Sequence, residues 1–127
     1  MSRLILALLA AFYVLTGAAF AETRFLSALD DVPLPAGFSE TEGGFVFEGP
    51  EGRLIEARAR GPASAEDCRD FFEETLPALG WAASPRANDA LAFRRGRERL
   101  SVQVAEAGGA REIVVRLVTQ PASMAPD

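Results

Sequence analysis

Between Ser64 and Trp81 the apolar residues recur at helical spacing, while the segments on either side alternate at every second position. Cys68, Phe71, Phe72, Thr75, Leu76 and Leu79 fall on one stripe, with Asp67, Asp70, Glu73 and Glu74 opposite. A helix with a single apolar stripe must lay it on a partner. The flanking alternation supplies one, because period-two patterning makes half-buried strands. The pattern therefore predicts an α+β chain, one helix on a mostly antiparallel sheet.

The helix carries its own boundaries. Ser64-Ala65-Glu66-Asp67 resembles a capping box, with Asp67 in the usual Glu/Gln place, and Glu66 and Asp67 suit the positive end of the helix dipole. Pro77 lacks an N–H and crowds the carbonyl of Glu73, so the helix bends or stops there. Gly80 suits the left-handed position just beyond a helix end. The Schellman arrangement would then bring Trp81 against Leu76, using the carbonyls of Leu76 and Pro77 as acceptors. On this reading Trp81, the only tryptophan, seals the seam between helix and next strand, and a nearby carbonyl accepts from its indole N–H. The competing reading makes Trp81 a stacking platform for a flat ligand.

The strands read as follows. Gly44–Glu48 puts Phe45 and Phe47 on one face, and Gly49-Pro50-Glu51-Gly52 turns the chain. RLIEARAR (53–60) alternates Ile55, Ala57 and Ala59 against Glu56, Arg58 and Arg60. After the helix, 81–83 begins a return, 85–89 is a turn, and 90–94 points Leu91 and Phe93 inward. LSVQVAE (100–106) points Leu100, Val102 and Val104 inward. EIVVRLVT (112–119), the most hydrophobic strand, suits a central place. The order ββαβββ(β) predicts a two-layer sandwich over residues 44–119, whose other face carries Arg58, Arg60, Ser101, Gln103 and Arg116. Residues 22–43, with VPLPAGF at 32–38, read as an extended entry segment, and 120–127 as a disordered tail.

Residues 1–21 form a different kind of segment. Arg3 precedes an apolar run from Leu4 to Leu15, and Ala19-Phe20-Ala21 fits a small-x-small cleavage site. This reads as a signal peptide, hence a periplasmic or secreted protein. The alternative is an inner-membrane anchor over residues 4–21, the chain's one link to a membrane if it stays uncleaved.

Composition removes several chemistries. Histidine and lysine are absent, so histidine-based triads, phosphate loops of the Walker type and Schiff-base catalysis have no residue to work with. Cys68 stands alone, which excludes an internal disulfide and an all-thiolate zinc site; it suits a buried core position or an intermolecular bond. The carboxylates Asp67, Asp70 and Glu74 share a helix face and could hold a loose divalent cation, but such a row is far more often a solvated face. No cofactor or metal is expected, and nothing marks the chain as an enzyme. Net charge is −5, against nucleic-acid binding.

Against that acidic background, RRGRER (94–99) gathers Arg94, Arg95, Arg97 and Arg99 around a hairpin. Guanidinium forks match phosphate and carboxylate, so this is a candidate anion or partner site; the plainer reading is a soluble, edge-guarding loop.

Residues 64–104 resemble small exported bacterial proteins of unknown function in which a helix ends in LPxLGW and strands LxFxR and LxVxV follow. The matching positions here are Phe71, Phe72, Leu76, Pro77, Leu79, Gly80, Trp81, Leu91, Phe93, Arg95, Leu100, Val102 and Val104. The resemblance covers about a third of the chain and implies a fold, with no catalytic residues to carry over. The expectation is an exported, non-enzymatic binding module meeting an envelope protein or an anionic envelope component. The alternative is a small-ligand or lipid binder with an apolar pocket between helix and sheet, gated near Trp81.

Overall fold

The computed structural model describes residues 23–121, so the segment 1–21 and residues 122–127 of the expected 120–127 tail lie outside the described residues, while Gln120 of that tail is hydrogen-bonded to Arg97. Six strands and one helix follow in the order β1 (Ser39–Gly49), β2 (Gly52–Gly61), α1 (Ala65–Ala78), β3 (Ala82–Ala87), β4 (Ala90–Arg95), β5 (Glu98–Ala107) and β6 (Ala110–Thr119). All pairings are antiparallel, and the spatial order is β1-β2-β6-β5-β4-β3. The fold is α+β. Among the described residues no helix is long and apolar enough to cross a membrane. The hydrophobic β6 is interior, between β2 and β5, as its composition demands.

Register fixes two faces. One row runs Val46, Ile55, Leu117, Leu100, Phe93, Ala83, from one edge to the other. It belongs to the inner face, where Ile55, Ala57, Ala59, Leu91, Phe93, Leu100, Val102, Ile113, Val115 and Leu117 are buried. These residues form one cluster with Cys68, Phe72 and Leu76 of α1 and with Trp81. The phenyl rings of Phe71 and Phe72 meet edge to face at 5.2 Å.

The helix begins and ends as its sequence dictates. The Ser64 hydroxyl accepts from the backbone N–H of Asp67. At the other end Gly80 has φ +94°, its N–H donates to the Pro77 carbonyl at 3.2 Å, and the Trp81 N–H donates to Leu76 at 3.1 Å. This is the Schellman pattern. Pro77 occupies the last turn, and the helix runs only one residue beyond it.

The strands run beyond the bounds read from sequence, most of all β1 and β3. β1 starts at Ser39 rather than Gly44, with a bulge between Thr41 and Phe45 that hides its first half from a period-two search. β3 continues to Ala87 through Pro85, and the turn is tighter, at Asn88 and Asp89, both in the left-handed region. Pro85 is tolerated because β3 is an edge strand.

The largest difference concerns the N-terminal segment. Leu26, Leu29, Val32, Leu34 and Phe38 are all buried and belong to the core cluster. Local backbone bonds close this loop: Leu26 donates to Val32, Val32 to Leu29 and Leu34 to Arg24. Ser27 anchors it to Glu40 through its hydroxyl at 2.9 Å. Burial of such side chains stabilises by about 1.5–3 kcal/mol each. The core therefore reaches well before residue 44. Phe38 lies so close to Gly61 that a Cβ there would sit 2.4 Å from the ring.

Candidate functional site

The outer face of the sheet follows the opposite parity. One row reads Phe47, Leu54, Val118, Arg99, Arg94, Ala82, and the next reads Phe45, Glu56, Arg116, Ser101, Ala92, Ser84. Phe45, Phe47 and Val118 are 46%, 62% and 40% exposed, so this face carries uncovered apolar surface as well as charge. The shared face of Phe45 and Phe47, expected from the sequence, is the outer one. Val46 points to the inner side yet is also exposed, because β1 lies at the sheet edge.

The pleat divides the RRGRER cluster. Arg94 and Arg99 are direct cross-strand partners on the outer face. Arg95, one residue on, faces inward. Its guanidinium lies 4.2 Å from the Trp81 ring centroid, pairs with Asp31 at 2.6 Å and Glu98 at 3.1 Å, and donates to the Leu79 carbonyl. Burial works against its charge, but the hydrogen bonds to Asp31 and Glu98 more than offset this and hold its pKa above the usual arginine value. Arg97 belongs to the turn and donates to the Gln120 carbonyl, while the Gln120 N–H returns a bond to Arg97. Two of the four arginines thus tie segments together, and two stand outward.

Arg116 joins those two from β6. It is diagonal to Arg99 through the Ser101 pairing, and its Nε donates to Glu56 at 2.8 Å. The Glu56 side chain is only 3% exposed despite its outward parity, and its second oxygen receives Arg58 at 3.5 Å. Arg58 in turn reaches Glu112 at 3.0 Å. A buried carboxylate held between two guanidinium groups fixes where Arg116 stands. Among the described residues, neither Arg94 nor Arg99 pairs with a carboxylate. Like charges directly opposite each other on a sheet are destabilising. A cleft of about 460 Å³ lies among Arg94, Arg99, Arg116 and Val118, with the small residues Ala92 and Ser101 in its lining.

Trp81 is placed otherwise than a ligand platform requires. It is 2% exposed, Arg95 stands over its ring, and it lines none of the clefts described here. Its indole N–H has no acceptor among the described residues, so the carbonyl partner expected from the sequence is missing. A cleft of about 240 Å³ touches both α1 and the sheet, between Glu73 and Leu91, Phe93 and Arg86. Another, about 500 Å³, lies beside Phe71, Arg24 and Phe38. Phe72 lines neither and is fully buried.

Cys68 is buried, with its thiol 3.9 Å from the Ala63 carbonyl. Burial, then the nearby Asp67 charge, push the thiol pKa up, which disfavours a reactive thiolate. Asp67, Asp70 and Glu74 are exposed along the helix, and among the described residues no three His, Cys, Asp or Glu side chains gather as metal ligands.

Comparisons with protein-family models, curated proteins and solved structures returned no match to this chain.

The contribution of Arg116 to the basic corner was accessible only in part from sequence. Its outward position could be expected from its charge, but its place beside Arg99 depends on a register between segments 17 residues apart.

Proposed function

We propose that this chain is an exported, non-enzymatic binding module of the bacterial envelope, and that it works through the outer face of its sheet. In this reading α1 and the segment 23–38 form one layer of a two-layer sandwich, and the opposite sheet face is left for a partner. The partner is an envelope protein or an anionic envelope component. No cofactor takes part, nucleic acid is not a partner, and a membrane is met only through residues 4–21 if they are retained.

One observation carries the reading: the exposed Phe45, Phe47 and Val118 share a face with Arg94 and Arg99, which lack carboxylate partners among the described residues. Phenylalanine and arginine are both enriched at protein interfaces relative to the rest of the surface. The Arg hairpin of the sequence reading becomes a patch of Arg94, Arg99 and Arg116, with Arg95 and Arg97 in supporting positions. A pocket between helix and sheet is less well supported, since Phe72 and Trp81 are packed into the core.

The test is photocrosslinking in the producing cell, with a benzophenone side chain placed at Ala92 or Phe47 on the outer face, or at Glu74 on the exposed side of α1. Discrete adducts from the two sheet positions and none from Glu74 are expected. Adducts from Glu74 alone, or none anywhere, would sink the reading.

A further inference from the structure

The row Phe47, Leu54, Val118, Arg99, Arg94 runs across five adjacent strands, from an apolar end to a cationic end. At about 4.8 Å per strand it spans about 19 Å. Phe47 and Val118 are exposed and Leu54 is half-buried, so the apolar end is open to solvent. The cationic end holds three guanidinium groups around the 460 Å³ cleft, one of them positioned by the buried Glu56. Ala92 and Ser101 in the lining are short enough to leave the depression that Arg94, Arg99 and Arg116 surround.

A free anion would use only the cleft, and an apolar ligand only the other end. A molecule that fits both has an anionic head and an apolar body in line. We propose that this row binds a single anionic amphiphile, its phosphate or carboxylate head among Arg94, Arg99 and Arg116 and its chain crossing Val118 and Leu54 toward Phe47. Charge complementarity supports this occupant: in a chain of net charge −5, the corner around Arg94 and Arg99 is without an acidic partner among the described residues. Planar guanidinium groups match the oxygens of such heads in bidentate pairs. A recessed head site suits one molecule better than the flat surface of a bilayer. The proposal rests on the outer face being the binding surface.

The test is calorimetric titration of the purified protein with dodecyl phosphate below its micelle concentration, beside inorganic phosphate and the uncharged dodecyl maltoside. Saturable binding of dodecyl phosphate is expected, at least tenfold tighter than either control. R94S/R99S and F47S/V118S should each weaken it at least tenfold. All four positions are exposed, and thermal melts verify that the variants fold. Equal affinity for inorganic phosphate, equal affinity for dodecyl maltoside, unaffected variants or no binding would each overturn the proposal. So would binding to phosphatidylglycerol vesicles without binding to monomeric dodecyl phosphate. Failure here with outer-face crosslinks intact would remove the amphiphile and leave the binding face; loss of those crosslinks would remove the face itself.

Discussion

The Arg95 guanidinium carbon lies 4.2 Å from the centroid of the Trp81 ring and, at the same time, a terminal nitrogen of that guanidinium reaches Asp31 at 2.6 Å. One side chain thus fastens three parts of the chain: the hairpin it belongs to, Trp81 just past the helix cap, and the N-terminal loop. Arg95→Met should lower stability by about 1–2 kcal/mol, more than a lone surface pair is worth, because a cation–π contact and two ion pairs go together. Urea unfolding followed by tryptophan fluorescence measures this. An unchanged midpoint would show that the N-terminal loop is held without Arg95.

Gly80 closes the helix at φ +94°, and a Cβ there would meet only the Arg95 Cδ at an ordinary 3.5 Å. The cost of Gly80→Ala is therefore conformational rather than steric, about 1–2 kcal/mol. Circular dichroism melts should show lower stability with unchanged helix content. If the variant is as stable as the parent, the helix end is not held in the left-handed form.

Gly61→Ala should do more harm, for a different reason. Its Cβ would stand 2.4–2.7 Å from three atoms of the Phe38 ring, and forced overpacking costs about 1–3 kcal/mol or more. Adding Phe38→Leu should recover part of that loss, so a double-mutant cycle should be non-additive. Strict additivity would mean that Phe38 does not dock on β2.

The Cys68 thiol, raised by burial, sets the direction of an alkaline effect. The folded thiol keeps its proton at pH values where the unfolded thiol, with a pKa of about 8.5, has lost it. The unfolded state then binds fewer protons, so stability falls as pH rises. The contribution of Cys68 is full below about pH 8.5 and declines above it. Stability measured from pH 7 to 10 should fall more steeply in the parent than in Cys68→Ala; parallel curves would contradict the assignment.

Much of this architecture could be read from local pattern, because helix caps and strand alternation are encoded within a few residues. Ser64, Pro77, Gly80 and Trp81 specify the helix and its end by hydrogen bonds that span five residues at most. The inward sets of β2, β4 and β5 follow from period two, whereas β6 is apolar at Val114 and Val118 as well, so its inward Ile113, Val115 and Leu117 are defined only by pairing. The core role of Leu26, Leu29, Val32, Leu34 and Phe38 was not legible, since an irregular loop buries side chains without repeating any spacing.

Local pattern was enough for the α+β composition, the helix boundaries and the shared faces of β2, β4 and β5. Tertiary structure alone decided which strands are neighbours, and with that which arginines meet. Arg94 and Arg95 are adjacent in the chain but stand on opposite faces, whereas Arg99 and Arg116 stand on the same face of neighbouring strands. The reason is that pleating is a property of one strand and can be read locally. Register is fixed only when distant strands bury their apolar faces together, and that register places Phe47, Val118, Arg99 and Arg94 in one row.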